Sequence, residues 1–550
     1  MPGSIVGTAD VSRVEAPITV KAYLVCAFAA FGGIFFGYDT GWMGGVQGMP
    51  YFISMYTGMQ YDYENHRPVD VDPKRFILPD QQKSLMTSIL SAGTFFGALI
   101  AGDIADFIGR RPTIIAGCGI FSIGAVLQAA STNQEALMVV GRLIAGLGVG
   151  FISAIIILYM SEIAPKKVRG AMVSGYQFCI TIGILLANCV VYATQNRNDS
   201  GSYRIPVCIQ FLWAIILAIG LFLLPESPRY HVKKGMLDQA AKDLAVIRGQ
   251  PVDSDYIKDE LAEIVANNEY EMAHIPQTSY IGSWTALFKG SLSKGNSNIR
   301  RTLLGVGMQM MQQLTGINFI FYFGVPFFQQ LGTIKDPFLM GLVTTLVNVC
   351  STPISFWSIE KFGRRFLLIY GAMGMIVCQF IVAILGVTAG RSDANNSSAT
   401  SAMIAFICIN ISFFAITWGP TAWVIVGETF SLPIRSRGVG ISTASNWFWN
   451  CIIGIITPYM VGESDGSAGL GSKVFFIWGS LCCGSLAFAY FLVPEMKGLS
   501  LEQVDKMLEE TTPRKSKSWI PTSTFAADMG HTHGEKGGIV ATEVPKEETV

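Results

Sequence analysis

Twelve apolar segments, each long enough to cross a lipid bilayer, leave this chain few possible folds. Backbone N–H and C=O groups inside a bilayer must bond to one another, so such segments form helices. They lie near residues 22–47, 84–102, 112–131, 136–159, 170–193 and 205–224 in the first half, and near 301–330, 337–358, 366–389, 402–427, 438–460 and 473–493 in the second. The sequence therefore predicts an all-α membrane protein with twelve transmembrane helices in two six-helix bundles.

Polar stretches between and beyond the apolar segments divide the chain into units. Helical periodicity over Leu237–Arg248 and Tyr256–Met272 predicts a cytoplasmic helical linker between the halves. The tail has one amphipathic stretch, Leu499–Glu510, before an end rich in Pro, Ser, Thr, Gly and Lys that is typical of disorder. We therefore expect a cytoplasmic N-terminal segment at 1–21, bundles at 22–224 and 301–493, the linker at 225–300, and a cytoplasmic, largely disordered tail at 494–550.

The composition excludes several classes of protein. Hydrophobic residues make up 51% of the chain and charged residues only 14%, with a formal net charge of +0, which disfavours a soluble protein and a nucleic-acid partner. The 11 cysteines fall in apolar stretches, which argues against a disulfide framework. The 5 histidines lie outside the apolar segments, which disfavours a membrane oxidoreductase with haem or metal ligands. We expect no enzyme activity, no cofactor and no metal site.

A short charged motif occurs in corresponding places of the two halves. Asp106–Arg111 and Glu360–Arg365 both read as an acid, two residues and then Gly-Arg-Arg, and each joins two apolar segments. Further acids and bases follow the fourth, sixth, tenth and twelfth segments in matched positions. Such clusters predict salt bridges between helices that close the cytoplasmic side and break when it opens, although a role in topology alone would also explain them. The candidate gating residues are Arg110, Glu162, Arg169, Glu226, Arg229, Arg364, Glu428, Arg435 and Glu495.

The charges of the loops predict the orientation of the chain. When both termini are placed in the cytoplasm, most lysines and arginines of the short loops lie on the inner side, as the positive-inside rule requires. Three glycosylation sequons then fall outside, at Asn198, Asn395 and Asn396. We therefore expect a glycosylated, multi-pass protein of the plasma membrane, embedded in the lipid bilayer.

Several motifs together resemble those of one family. Gln312–Asn318 reads Gln-Gln-Leu-Thr-Gly-Ile-Asn, and Pro225–Arg229 and Pro494–Gly498 read Pro-Glu-Ser-Pro-Arg and Pro-Glu-Met-Lys-Gly. With both Gly-Arg-Arg turns, they occur in the order typical of the sugar porter family of the major facilitator superfamily. The chain is similar to fungal proton-coupled monosaccharide (hexose) transporters over residues 20–500, except that Met496 stands where the family usually has Thr. The resemblance implies a sugar site between the two bundles and alternating access.

Amide side chains within the apolar segments indicate the kind of substrate. A sugar hydroxyl both donates and accepts hydrogen bonds, as an amide does, and an aromatic face suits the C–H side of the sugar ring. Gln312 and Gln313 point about 100° apart on an ideal helix, so the helix break near Gly316 that the family implies would let both face a cavity. Phe36 and Trp418 are further candidates for its wall. Carried over position by position, the family's site for glucose and related hexoses implies Gln177, Gln312, Gln313, Asn318, Asn348, Trp423 and Asn446.

One acid and one base lie deep within the apolar segments. Asp39 is in the first segment and Arg142 in the fourth, both roughly 10 Å below the outer surface by helix rise. A charge at that depth is costly and indicates function. If Asp39 is ionised when paired with Arg142 and neutral when separated, proton binding is linked to movement of the bundles, which predicts a proton symporter. A structural ion pair in a facilitative uniporter is the alternative, and a sugar sensor that does not transport is another.

Overall fold

The computed structural model describes residues 17–64, 67–69, 76–274, 280–292, 297–330, 336–388, 397–462 and 467–523. Two predictions fall outside these residues. They are the disordered end of the tail at 524–550 and the glycosylation of Asn395 and Asn396.

The first half forms six membrane-spanning segments. The first segment consists of two helices that meet at Phe31, and the loop after it carries a short helix and an antiparallel pair of strands in which Tyr61 pairs with Pro68. The elements are α1 (Val20–Ala30), α2 (Gly32–Val46), α3 (Pro50–Thr57), β1 (Tyr61–Asp62), β2 (Arg67–Pro68), α4 (Asp80–Ile108), α5 (Arg110–Ala130), α6 (Glu135–Ile163), α7 (Arg169–Thr194) and α8 (Gly201–Leu223).

The second half repeats this plan after four linker helices. The linker contains α9 (Pro228–Lys233), α10 (Leu237–Arg248), α11 (Asp255–His274) and α12 (Tyr280–Ala286). The following elements are α13 (Asn298–Leu314), α14 (Ile317–Gln330), α15 (Pro337–Ser351), α16 (Ile354–Phe362), α17 (Arg364–Val387), α18 (Ser397–Ile416), α19 (Trp418–Thr429), α20 (Arg435–Val461), α21 (Val474–Leu492) and, in the tail, α22 (Leu501–Glu510).

Twelve spanning segments can be assigned within the described residues. Ten are long and apolar enough to cross a membrane, and α15 with α16 forms an eleventh that bends by 43°. The remaining segment is α13 with α14, which Thr315 and Gly316 separate. The predicted all-α membrane fold of two six-helix halves is confirmed.

Small residues let the two halves pack tightly against each other. α4 packs along α20, and α2 packs against α14. We call the end of the bundles that carries α9–α12 and α22 the linker end, and the opposite end the far end. A Cβ on Gly102, near the linker end, would lie 2.8 Å from the carbonyl oxygen of Ser436. One on Gly44, near the far end, would lie 2.7 Å from that of Tyr322. The halves therefore touch at both ends.

The linker and tail helices are held against the bundles by arginines. Arg248 of α10 donates from Nη1 to the carbonyl oxygen of Ile163 at 2.7 Å and pairs with Glu260 of α11 at 2.6 Å. Arg229 of α9 pairs with Glu502 of α22 at 2.7 Å. Burial alone would raise the pKa of Glu502, but the charge of Arg229 holds that pKa well below its usual range. These contacts join the linker and the tail to the linker end of the bundles.

Candidate functional site

A cavity of about 60 Å³ lies between the two halves at mid-depth. Helices α2 and α7 of the first half and α13, α14, α15, α19 and α20 of the second contribute to its wall. The seven side chains carried over from the family all line it: Gln177, Gln312, Gln313, Asn318, Asn348, Trp423 and Asn446. Their role in binding stays a prediction.

Hydrogen bonds tie the amides of the second half into one network. Asn446 donates from Nδ2 to Gln312 Oε1 at 2.7 Å and to Gln309 Oε1 at 2.6 Å, and its Oδ1 accepts from Gln313 Nε2 at 2.9 Å. Gln312 also donates to the carbonyl oxygen of Gly419 at 2.9 Å. Gln312 and Gln313 are adjacent on α13, and both side chains line the cavity. The network of hydrogen bonds holds each of them in place there.

The interruption between α13 and α14 brings a further amide to the same wall. Gly316 has a φ of +77°, a conformation that glycine adopts without strain, and a Cβ there would collide with the indole of Trp478. Asn318, at the start of α14, donates to Gln313 Oε1. The predicted break is present, and it places Asn318 beside the glutamines.

The first half supplies one amide, Gln177, and one aromatic ring, Phe36, to the wall of the cavity. Gln177 of α7 accepts from Trp423 Nε1 at 3.1 Å, which joins the two halves across the cavity. Phe36 lines the cavity and makes an edge-to-face contact with Trp447 at 5.0 Å between centroids. Trp418 lies behind the wall instead, because its indole N–H donates to the carbonyl oxygen of Leu368 at 2.9 Å and its side chain is buried. The expectation that Trp418 forms part of the wall is therefore wrong.

Asp39 and Arg142 share one buried region, but they are not in contact as an ion pair. Asp39 Oδ1 accepts from Gln210 Nε2 of α8 at 3.1 Å. Asp39 Oδ2, and Nε and Nη1 of Arg142, have no hydrogen-bond partner among the described residues. The guanidinium lies 5.3 Å from the ring centroid of Trp42, one turn along α2 from Asp39. In this conformation the carboxylate and the guanidinium lie in the same buried region without forming an ion pair, and the ring of Trp42 lies beside the guanidinium.

Two salt bridges form between candidate gating residues, one in each half. Arg110 donates from Nε and Nη2 to both oxygens of Glu162, each at 3.0 Å. Arg364 makes the matching contact with Glu428 at 3.3 and 3.0 Å. Two parallel bonds between guanidinium and carboxylate fix geometry as well as charge. Each pair lies within its own half and joins the start of one helix to the end of another, α5 to α6 in the first half and α17 to α19 in the second.

Glu226 and Glu495 bind backbone N–H groups where salt bridges were predicted. Glu226 accepts from the N–H groups of Arg110 and Arg111, both at 3.1 Å. Glu495 likewise accepts from the residues that begin α17, at 2.9 and 3.1 Å. The glycine before each helix makes room, since a Cβ on Gly109 would lie 2.5 Å from Glu226 Oε2. These acids therefore cap helix N-termini, where orphan N–H groups and the helix dipole favour a carboxylate.

Three further predicted gating arginines bind backbone carbonyls. Arg169 donates to Leu499 at 3.3 Å, Arg435 to Phe430 at 2.8 Å, and Arg229 to Glu162 at 2.6 Å in addition to its pair with Glu502. The salt bridges predicted for Arg169 and Arg435 are not observed among the described residues, because backbone carbonyl groups accept from their guanidinium groups instead.

Contacts between the halves at the linker end come from acids of α4. Asp103 accepts from Arg437 Nε at 2.7 Å. Asp106 accepts from Ser436 Oγ at 2.6 Å and pairs with Lys233 of α9 at 2.8 Å. Arg437 and Ser436 belong to α20, so these bonds join the first half to the second.

The chain was compared with known proteins. The family model described as "Sugar (and other) transporter" matches residues 25–508. The chain belongs to this sugar transporter family. It is similar to the Major facilitator-type transporter ecdD of Aspergillus rugulosus, with 45% identity over 94% of this chain and 91% of that protein. The Probable glucose transporter rco-3 of Neurospora crassa is 39% identical over 96% of this chain and 85% of that protein.

A solved structure shows the same fold. The proton:xylose symporter XylE bound to 6-bromo-6-deoxy-D-glucose matches with a TM-score of 0.73 and 23% identity, and the match covers 89% of this chain and 99% of that one. The family match shows a transporter and not an enzyme, and the shared fold shows a multi-pass membrane protein. Within its described residues, no group of three His, Cys, Asp or Glu side chains is placed to hold a metal ion.

Sequence reasoning missed several residues of the transporter's central site. Asn450 lines the cavity, accepts from Ser91 Oγ at 2.7 Å and donates to Tyr322 Oη at 3.0 Å. Its spacing of four residues from Asn446 puts both on one face of α20 and could have found it. Gln210, the partner of Asp39, carried no comparable signal, because only the packing of α8 against α2 brings it there.

Proposed function

We propose that this transporter carries monosaccharides, glucose and related hexoses, across the plasma membrane by alternating access coupled to protons. The observation that carries the proposal is the amide network around the central cavity. A hexose presents several hydroxyls that each donate and accept, and amides from both halves converge on one space where they can do the same. The Probable glucose transporter rco-3 of Neurospora crassa, at 39% identity, supports this class of substrate.

The cavity of about 60 Å³ is far smaller than the roughly 300 to 1,000 Å³ of ligand pockets. Because the halves also touch near both ends, we propose that this conformation is occluded and that a sugar reaches the amides only after one end opens. The contacts of Asp103 and Asp106 with α20 would break when the linker end opens.

The coupling proposal rests on the environment of Asp39. A carboxylate in the membrane interior is costly when it is charged and incompletely paired. In the occluded conformation Asp39 has one hydrogen bond, from Gln210, and no contact with Arg142. Protonation removes this cost, whereas approach of Arg142 would favour the ionised form. A movement that brings the two together would thus release the proton.

We propose that both termini face the cytoplasm, so that the linker end is the inner end. The positive-inside distribution of loop charges supports this orientation. Asn198, whose sequon is predicted to be glycosylated, is exposed in the loop between α7 and α8 at the far end, next to the ion pair of Arg197 with Asp199 at 2.8 Å.

The decisive experiment is uptake of labelled glucose in a host that lacks its own hexose carriers, in competition with a panel of sugars. We expect competition by hexoses, and an increase in accumulation when the outside is made acidic. Reconstituted vesicles that accept organic acids or inositol but no hexose or pentose would contradict the substrate. A normally expressed protein that takes up no sugar would instead be a sensor.

Replacement of Asp39 tests the coupling separately. Asp39→Asn keeps the shape and the acceptor for Gln210 but loses the titration, so sugar-driven proton uptake should stop while exchange of sugar across the membrane continues. The double variant Asp39→Asn with Arg142→Ala should be less damaging than the two single effects summed, because it leaves no unpaired guanidinium. If Asp39→Asn still moved protons with glucose, or the wild type moved none, the protein would be a facilitative uniporter.

A further inference from the structure

A second cavity, of about 380 Å³, lies at the linker end of the second half, away from the central site. The turn between α16 and α17 forms one side of it, and the chain before and after α22 forms the other. Three lysines and three large aromatic residues stand around it: Lys361, Lys497, Lys517, Phe362, Phe366 and Trp519.

The charge of this cavity is positive. Lys361, Lys497 and Lys517 are exposed. Lys497 donates one Nζ–H to the carbonyl oxygen of Lys361 at 2.9 Å, which leaves further donors on the same ammonium group. The acid that also lines the cavity is Glu495, and its carboxylate already accepts from four backbone N–H groups at 2.9 to 3.1 Å. Lys361 Nζ lies 4.3 Å from the ring centroid of Trp357, which leaves N–H groups of the same ammonium for other acceptors. The lysines can therefore bind an anion from outside the chain.

An aromatic and apolar stripe begins at the cavity and continues along the bundle. The rings of Phe362 and Phe366 stack at 5.2 Å, and those of Phe366 and Tyr370 lie 4.3 Å apart. The stripe continues along α17 through Tyr370, Met373 and Val377, which are 55%, 47% and 58% exposed. Residues at this spacing share one helix face. Since α17 spans the membrane, this face meets the acyl chains of lipids.

The internal repeat shows that the turn itself does not require this charge. Phe107 stands in the first half where Lys361 stands in the second, and it is 79% exposed. Pro228 stands where Lys497 does. The Gly-Arg-Arg turn of the first half folds like that of the second, although it has no lysine at these two positions. The lysines are therefore specific to the second half.

We propose that this cavity binds the headgroup of an anionic phospholipid from the leaflet at the linker end. The lysines bind the phosphate and any further negative charge of the headgroup, and an acyl chain packs along Phe366 and Tyr370. A free phosphate would use the lysines but not the stripe, whereas a lipid uses both. The bound lipid would also fasten the tail, since Ser516, in the same wall, accepts from the N–H of Glu495 at 2.7 Å.

The test uses the purified full-length transporter in neutral detergent, with dioctanoylphosphatidylserine as the probe and the unfolding temperature as the readout. A ligand that binds the folded state raises this temperature in a saturable way. The triple variant Lys361→Gln, Lys497→Gln, Lys517→Gln should need at least about tenfold more lipid for half the effect. The matched control Lys242→Gln, Lys258→Gln, Lys289→Gln removes three exposed lysines of the linker region and should behave as the wild type within about twofold.

Three further outcomes decide the nature of the ligand. Dioctanoylphosphatidylcholine should give no saturable shift, because its headgroup has no net charge. Phe366→Ala should weaken the response to dioctanoylphosphatidylserine, because it removes the start of the stripe. Equal responses of the two triple variants would overturn the proposal. So would a shift of the same size with inorganic phosphate at the same concentration, which would mark a site for free anions.

Discussion

The acid that caps α17 gives a sharp test of the difference between a structural cap and a gate. In Glu495→Ala, the N–H groups of Arg364 and Arg365 lose the carboxylate that accepts them at 2.9 and 3.1 Å. The pair of Arg364 with Glu428 is left in place, because it uses the guanidinium and not the backbone. The variant therefore removes the cap without removing the adjacent salt bridge.

The structure sets the size of the effect. Glu495 accepts from four backbone N–H groups, and those of Arg364 and Arg365 are the two that cap α17. Hydrogen bonds to a charged acceptor are worth about 1.5 to 3 kcal/mol each when no other partner replaces it. Glu495 is only half-buried, so water takes over part of the loss, and removal of an N-cap typically costs about 0.5 to 2 kcal/mol. We expect Glu495→Ala to lower the free energy of unfolding by about 2 kcal/mol. For a cooperative unit the size of one six-helix half, this corresponds to a fall of about 4 to 8 °C in the unfolding temperature.

The measurement is thermal unfolding of the purified protein by tryptophan fluorescence. Glu509→Ala is the matched control, because it also deletes an acid of the linker end but one that is exposed and accepts only a 3.5 Å bond from Tyr270. Glu226→Ala, at the matched position of the first half, should resemble Glu495→Ala.

A gate would give a different result. If Glu495→Ala kept its unfolding temperature while hydrogen exchange rose at the start of α7 and in α16, the acid would hold the linker end closed and the cap argument would fail. The N–H of Ala171 marks that interface, because it donates to Glu360 across the halves at 3.0 Å.

Three other predictions concern the central site and the packing of the first half. Gln313→Ala and Asn318→Ala should each weaken sugar binding about 2 to 13-fold, the equivalent of one hydrogen bond of roughly 0.5 to 1.5 kcal/mol, in a binding assay on normally expressed protein; unchanged affinity in both would move the site elsewhere. Gln177→Ala should weaken binding to a similar degree and also free the indole of Trp423, which a change in tryptophan fluorescence would report. Gly37→Ala should reduce the unfolding temperature, because its Cβ would collide with the carbonyl oxygen of Ile180. The control Gly484→Ala has open space around the new Cβ and should leave the unfolding temperature unchanged. Equal unfolding temperatures of the two variants would contradict the close packing of α2 and α7.

The sequence alone was sufficient for features that depend on neighbouring residues. The spanning segments follow from runs of apolar side chains, and α10 covers the residues Leu237–Arg248 whose periodicity predicted a helix. The break before Asn318 was expected from the resemblance to the family, and Gly316 adopts the positive φ that it requires. These features depend on the composition and backbone preferences of a single segment.

The central site was predictable only in part. Position-by-position comparison with the family found amides that line the cavity, because helix positions fix which face a residue occupies. It missed Gln210, whose bond to Asp39 depends on how α8 packs against α2. Trp418 was assigned to the wall, yet its ring lies in the core, where its indole N–H donates to the carbonyl oxygen of Leu368.

Only the tertiary structure decided which charges meet. The sequence shows an acid and a base at each linker-end motif, but it does not specify which of them pair. In the folded protein Glu162 binds the Arg110 guanidinium, whereas Glu226 binds the backbone N–H of the same residue. Asp39 and Arg142 share a buried region without touching. The strength of a hydrogen bond changes when its atoms move by a few tenths of an ångström. Positions on that scale depend on how whole helices pack against one another, and no single segment of the sequence contains that information.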